Sequence, residues 1–421
     1  MTRVLVCRWD PYILDVLRAE GAEVALLFDA FEAAHFHVDE SVLATLQHVF
    51  RINSFDDMDE LAQIVTELRV AGWTPDRVVS LSEFSQYGAA FLAQSFGLDG
   101  PALETALLTR DKRAMKQAVR AAGVRCTDFV SLRTTDPAAG ARRTAQTLGF
   151  PVVVKPAAGL GTLGTAWIHT EDALERHLRD VSDDGLDHFL MAERPVLGEE
   201  LHVDAIWVEG TCRWLGVMRY RKPRIAVTTA GEGNGSALLP REEWADLYAQ
   251  VEQMHTDVNR ALHVRDGITH LELFVEEGTG ELVFSEIASR FAGGGITPTY
   301  RAFGDDLRVA WIKTVVAPDA PAPYAAEVPQ DYVGWVNLAP AEAGVIVAEP
   351  TQQDIDAFDY VVETVRPHGV GDEFSDPHPS AWCLHLIYRA DSLEQFEDRG
   401  RELEQALNPL FAVESAEPGT H

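Results

Sequence analysis

Two carboxylates set into apolar strands constrain this chain more than any other feature of its sequence. The stretch Ile268–Thr297, ITHLELFVEEGTGELVFSEIASRFAGGGIT, reads as two strands, Thr269–Val275 and Leu282–Ala288, joined through Glu277-Gly278-Thr279-Gly280. The glycines of that link supply the positive φ that a tight hairpin needs. Side chains alternate between faces along a strand. His270, Glu272 and Phe274 are therefore expected on one face of the first strand, and Phe284, Glu286 and Ala288 on one face of the second. A turn near 278–279 sets Glu272 opposite Glu286. An isolated charge is costly in apolar surroundings, and two facing carboxylates repel unless a cation lies between them. Mg²⁺, with Mn²⁺ as a substitute, meets that demand because it takes carboxylate and phosphate oxygens. The plainer alternative is a solvent-facing polar stripe on an edge hairpin.

The segment that follows favours the metal. Arg290 comes one short step after Glu286 and leads into Gly293-Gly294-Gly295. A guanidinium beside a metal suits phosphate or carboxylate recognition, and a triple glycine lets a substrate approach the backbone closely. Read by itself the glycine run is a flexible connector. Together, Glu272, Glu286, Arg290 and the glycines resemble the metal-binding end of an ATP-grasp domain, and among such proteins the carboxylate–amine ligases that include the L-amino acid ligases. The resemblance implies ATP and Mg²⁺ as cofactors and an amide-forming reaction through an acyl phosphate. It also implies binding of substrate by Arg290, Gly293, Gly294 and Gly295, with Arg290 and Lys222 in catalytic roles.

Composition narrows the class. The chain has 421 residues, enough for several domains, and 46% hydrophobic residues, the level of a globular protein. Thirty-five basic against 66 acidic side chains leave a formal charge of −31. That balance argues against nucleic acid or anionic membrane as partners, does not exclude ATP, and suits amine or cationic substrates. The resemblance implies ATP with small-molecule carboxylate and amine substrates as the partners. A homodimer is compatible with it. The four cysteines (Cys7, Cys126, Cys212, Cys383) are scattered without a CxxC pair, as in a reducing compartment. Thr2–Cys7 already reads as structure rather than a leader, and there is no long apolar run that would span a membrane. A cytoplasmic location is expected.

Strands and helices alternate through the first third: Arg3–Cys7, Tyr12–Glu20, Val24–Phe28, the apolar stripe Leu61, Ile64, Val65, Leu68, then Arg77–Leu81. Alternation of this kind implies a doubly wound parallel sheet. Ser82-Glu83-Phe84 reads first as a helix cap at the carboxyl end of a strand, though ligands also bind there. The expected fold class is α/β. Residues 1–105 form a doubly wound parallel sheet domain preceding an ATP-grasp fold of two α+β lobes clasping ATP. Residues 106–200 make its small lobe region and 201–320 its large lobe with the metal site. A small α+β subdomain spans 330–412.

The nucleotide landmarks come in order. Asp111 opens a helix ending at Gly123, and Lys112 of the Asp-Lys pair resembles the family lysine that reaches nucleotide phosphates. PVVVKP is a buried strand ending in Lys155, followed by a small-residue loop with Gly159, Gly161 and Thr162. Such a loop lets backbone N–H groups point at phosphates. It is not a P-loop, since GxxxxGK[ST] is absent. After the strand Phe189–Glu193, the resemblance puts backbone groups between Glu193 and Val196 on the adenine edge and makes Glu200 the ribose ligand, with Glu199 the fallback. Lys222, in the basic run Arg219–Arg224, reads as a solvated charge or as a phosphate ligand. Thr228–Ser236 reads as a mobile loop that closes over the site. Pro240–Leu262 is a core helix.

One position departs from the family pattern. Where Glu-x-Asn is common at the second metal strand, this chain has Glu286-Ile287-Ala288, and alanine cannot ligate a metal. Two rival readings remain open: a ligase acting on a peptide or carrier-bound acid, and a nucleotide-binding regulator with a degenerate site. A biotin-dependent carboxylase fits less well, because the longer polyglycine run of those enzymes is missing.

Overall fold

The computed structural model describes residues 1–159, 161, 163–181, 188–227, 233–293, 299–300, 306–318, 331–375 and 382–414. The chain opens with Arg3–Cys7, a strand whose last four residues are buried in succession, as a strand covered on both faces requires. It pairs in parallel with Glu23–Asp29 on one side and Arg77–Ser80 on the other. His48–Ile52 adds a fourth parallel strand outside Glu23–Asp29. This is the expected parallel sheet, with one strand that the sequence pattern did not show. The helix Met58–Val70 covers it with Leu61, Ile64, Val65 and Leu68. Strand order reverses at Arg3–Cys7, so the carboxyl ends of that strand and of Arg77–Ser80 flank the crevice where such sheets take ligands. Glu83 follows immediately beyond.

A four-stranded antiparallel sheet comes next, in the order Phe129–Arg133, Phe189–Glu193, Val152–Pro156, Ala166–Ile168. The helices Pro137–Thr147 and Glu171–Val181 close one side of it, where Leu174 and Leu178 of the second join Leu132 and Val154 of the sheet in one core. The helix Lys112–Ala121 leads into this part. Asp111 caps it by accepting the N–H groups of Arg113 and Ala114.

The largest sheet is antiparallel and eight-stranded. Its order is Leu282–Ala288, Gly267–Glu276, Gly198–Val208, Thr211–Tyr220, Gly235–Leu238, Tyr332–Leu338, Leu384–Ala390 and Val361–Val365. Gly198 enters it with φ +149°, where a Cβ would fall 2.0 Å from the Val275 carbonyl oxygen. Only glycine fits that approach. The helix Ala245–Ala261 buries Tyr248, Val251 and His255. His255 Nε2 meets Thr269 Oγ1 at 2.9 Å, so this helix covers the face carrying Thr269 and Leu271. The helix begins later than expected, because Arg241–Trp244 form a turn before it.

Two expectations change here. The C-terminal strands Tyr332–Leu338, Val361–Val365 and Leu384–Ala390 extend the large sheet rather than standing apart from it. Gly235–Leu238 presents a backbone edge that Tyr332–Leu338 pairs with over four residues. Among the described residues, Gly344–Ala348, Glu373–Phe374 and Ala412–Glu414 make a separate small sheet. The expected loop Thr228–Ser236 is also shorter than read: Gly235 and Ser236 already belong to a strand, while 228–232 lie outside the described residues. No helix among the described residues is long and apolar enough to cross a membrane.

Candidate active site

The strand Gly198–Val208 alternates Glu200, His202 and Asp204 with the apolar Leu201, Val203 and Ala205. Its neighbour Gly267–Glu276 runs antiparallel, so His202 stands opposite Glu272 and Asp204 opposite His270. On the far side of that neighbour, Glu272 stands opposite Glu286 and His270 opposite Ala288. One sheet face thus carries two adjacent polar rows, on the side away from the helix Ala245–Ala261. The facing of Glu272 and Glu286 is as the hairpin register predicts. The expected placement of Phe284 beside Glu286 is not: a bulge at Ser285 lets Phe284 pair with Leu273, which turns its ring to the buried helix side.

Glu272 and Glu286 keep 21% and 23% of their side chains exposed, enough for a ligand to reach them. Lys112 Nζ lies 3.3 Å and Lys155 Nζ 3.5 Å from Glu286 Oε2. Lys112 also donates to the Gly159 carbonyl at 3.3 Å, which ties the helix start to the glycine loop. Lys155 further pairs with Glu193 at 2.7 Å, and Lys116 takes the other Glu193 oxygen at 2.8 Å. The lysines therefore enter the site already engaged with carboxylates.

The remaining expected residues are spread around this centre. Glu200 is buried and accepts the Arg224 backbone N–H at 2.6 Å. Val196 is half-buried in the link that precedes Gly198–Val208, and Glu199 pairs with Arg219 at 2.9 Å. Lys222 is exposed and lies against Gly233. Gly159 and Gly161 are described, the latter with φ +58°, whereas Thr162 lies outside the described residues. Gly293 is exposed, and Gly294 and Gly295 lie outside the described residues. Arg290 turns toward the first domain, where its Nε donates to Glu83 Oε2 at 2.6 Å. Glu83 also holds Arg110, at 2.8 Å. Glu83 is thus more than a cap, because it joins the crevice of the parallel sheet to the end of the strand Leu282–Ala288.

Electrostatics follow from this packing. Burial works against the charge of Glu272, but the facing His270 ring outweighs it and holds the carboxyl below its usual range. Glu200 goes the other way: burial, then the nearby Glu272 carboxylate, push it up. Burial opposes charge on Glu193 as well, and Lys116 and Lys155 overcome it and keep the carboxyl ionised. For Lys155, burial is likewise offset by Glu193 and Glu286, which raise its affinity for the proton. His270 is raised to about 9, because Asp204 and Glu272 outweigh the effect of burial.

Several residues of the site were not singled out by sequence. Lys116 lies one helical turn after Lys112 and looks like a surface residue until Glu193 is seen beside it. His202 and Asp204 carry a signal, since polar residues at every second position of an apolar strand mark one face. Arg110 has none, and Glu83, read as a cap at a strand end where ligands also bind, gives no sign of its partners Arg290, 207 residues away, and Arg110.

Comparisons with known proteins bear on the same elements. Residues 111–192 match the family model of the carbamoyl-phosphate synthase L chain, ATP binding domain. The chain is 31% identical over 260 residues to the L-arginine-specific L-amino acid ligase of Bacillus subtilis, covering 59% of this chain and 59% of that relative's length. Among solved structures, an L-amino acid ligase from Bacillus licheniformis matches with a TM-score of 0.73 at 18% identity, over 99% of both chains. The biotin carboxylase domain of 2-oxoglutarate carboxylase from Hydrogenobacter thermophilus, in complex with MgADP, ADP and bicarbonate, matches with a TM-score of 0.65 at 17% identity, over 96% of this chain and 90% of that one. At such identities the structural likeness is one of fold.

Proposed function

We propose that this chain, an ATP-grasp protein similar to the L-amino acid ligases, is an ATP-dependent carboxylate–amine ligase acting on amino acids or similarly small substrates. The observation that carries the reading is the facing pair Glu272 and Glu286 with two lysine ammonium groups within 3.5 Å of Glu286. Two partly exposed carboxylates with hard oxygen donors fit Mg²⁺ or Mn²⁺. Glu272 and Glu286 would hold the cation, which would supply charge neutralisation at the phosphates.

Lys112, Lys155 and Lys222 hold the ATP phosphates, helped by backbone N–H groups of Gly159, Gly161 and Thr162. The backbone between Glu193 and Val196 takes the adenine, and Glu200 the ribose hydroxyls. The four segments 1–105, 106–200, 201–320 and 330–412 serve this division of labour, with the last two sharing one sheet. A substrate carboxylate oxygen attacks the γ-phosphorus, the bond to the β-phosphate oxygen breaks, and ADP departs. An uncharged amine then attacks the acyl carbon. The carbon–oxygen bond breaks and phosphate leaves with that oxygen, while the surplus amine proton passes to phosphate. Arg290 steadies the acyl phosphate and the oxyanion, and Gly293, Gly294 and Gly295 take the substrate. Catalysis is positioning and electrostatics, with no protein nucleophile. The similarity to an arginine-specific ligase favours amino acids as substrates.

The test is phosphate release from ATP and Mg²⁺, screened with amino acids singly and in pairs. Release that requires a carboxylate and an amine, with an amide of matching mass, is the expected result. ATP binding without release for any pair would defeat the small-substrate reading. Glu286→Gln, which removes one donor from the facing pair, should lower turnover by about 10²-fold or more.

A further inference from the structure

The position that cannot ligate a metal, Ala288, stands directly opposite His270. His270 Nδ1 lies 3.0 Å from Asp204 Oδ1. The other Asp204 oxygen accepts the Tyr300 hydroxyl at 3.1 Å. Gly216 makes room for that hydroxyl, since a Cβ there would stand 2.9 Å from it. Asp204 is therefore fixed, and it fixes the His270 ring with Nδ1–H as the donor. The remaining nitrogen, Nε2, points to the metal side of the sheet and lies 3.6 Å from Glu272 Oε1. His202 packs beside this ring at 5.4 Å between centroids and is itself held by Ser236 Oγ at 2.7 Å.

This geometry is that of a ligand histidine. A metal-bound imidazole commonly donates its second nitrogen to a carboxylate, which sets the tautomer and the ring orientation. Two donors held about 2.1 Å from one cation stand roughly 3.0–3.6 Å apart for bond angles between about 90° and 120°. The spacing from Nε2 to Glu272 Oε1 lies at the upper end of that range. It is too long for a good hydrogen bond.

We infer that His270 Nε2 is a protein ligand of the divalent cation held by Glu272 and Glu286, taking up on the neighbouring strand the role that Ala288 cannot fill. Asp204 is the positioning residue behind it. The inference rests on the metal-site reading above. A neutral imidazole is the ligating form, so entry of the cation sends the Nε2 proton to solvent. Nitrogen ligation favours Mn²⁺ or Co²⁺ over Mg²⁺ more than an all-carboxylate site would.

The experiment is pulsed electron paramagnetic resonance of Mn²⁺ bound to the full-length protein with ADP, where no turnover occurs. The expected wild-type spectrum contains modulation from an imidazole ¹⁴N. That signal should vanish in His270→Gln, with Mn²⁺ affinity weakened at least tenfold. Asp204→Asn should keep the signal and lose roughly 10–100-fold in affinity. Bound Mn²⁺ without ¹⁴N modulation in the wild type would overturn the inference and leave the carboxylate site standing. So would modulation that survives His270→Gln and is lost in His202→Gln. No Mn²⁺ binding at all would overturn both this inference and the metal site beneath it. The wild-type spectrum decides even if a variant fails to fold.

Discussion

Replacing Glu193 with glutamine should open the small antiparallel sheet, and the cost can be worked from the packing. Lys116 has no exposed side-chain surface, and its ammonium meets only Glu193 at 2.8 Å and Thr127 Oγ1 at 2.9 Å among the described contacts. Lys155 loses its 2.7 Å partner too but keeps Glu286 at 3.5 Å. The penalty therefore concentrates on Lys116, a charge left buried with one hydroxyl. Removing one partner of a buried pair costs about 3–5 kcal/mol, and the amide oxygen that the substitution leaves beside the ammonium places this case toward about 3 kcal/mol. Lys116→Met leaves Glu193 with Lys155 at 2.7 Å, so no buried charge loses its last charged partner, and it should cost about 1 kcal/mol. The double variant should be more stable than Glu193→Gln alone. Hydrogen exchange in Phe129–Arg133, Val152–Pro156 and Phe189–Glu193 reads the local opening free energy. If Lys116→Met costs as much as Glu193→Gln, or the double variant recovers nothing, the charge argument is wrong.

The pH dependence of stability in metal-free protein has two limbs. Glu193 and Asp204 are held below their ordinary values of 4.5 and 3.8, so their contribution is complete above those values and is lost as pH falls below them. His270 is raised from 6.5 to about 9, so its contribution is complete below about 6.5 and fades as pH rises through 9. Urea denaturation across pH should show both limbs, and Asp204→Asn should flatten the alkaline one; an unchanged alkaline limb would contradict the assignment. Gly198→Ala should lower stability by well over about 1 kcal/mol in the same assay, since the alanine methyl would collide with the Val275 carbonyl at a φ that disfavours it. Glu83→Gln should raise the substrate KM at least tenfold in steady-state kinetics without weakening ATP binding, because it loosens Arg290 and Arg110 and touches no lysine of the nucleotide site.

What is legible in the sequence is local. Glu272 and Glu286 stand out because each breaks an apolar strand, and two glycines between them announce a turn. Lys112 and Lys155 stand out through their positions at a helix start and a strand end. The parallel sheet follows from alternation of elements. The face of Phe284 is not legible, because a bulge adds one residue to a ladder and no residue type in Phe284-Ser285-Glu286 marks it. The C-terminal strands read as a unit of their own because strand sequence encodes burial but not which edge it will join. Lys116 with Glu193, and Glu83 with Arg290, are pairings made by tertiary packing alone. Alternation puts His270 on the same face as Glu272, but the setting of its ring depends on Asp204, a strand away.

The central claim is amide formation through an acyl phosphate, and oxygen transfer tests it most directly. The measurement is ³¹P NMR of phosphate released when the substrate carboxylate carries ¹⁸O, using the pair of substrates that supports turnover. The account predicts ADP as the nucleotide product and one ¹⁸O in each phosphate for every amide formed. Release of AMP, or of phosphate without ¹⁸O, would contradict it.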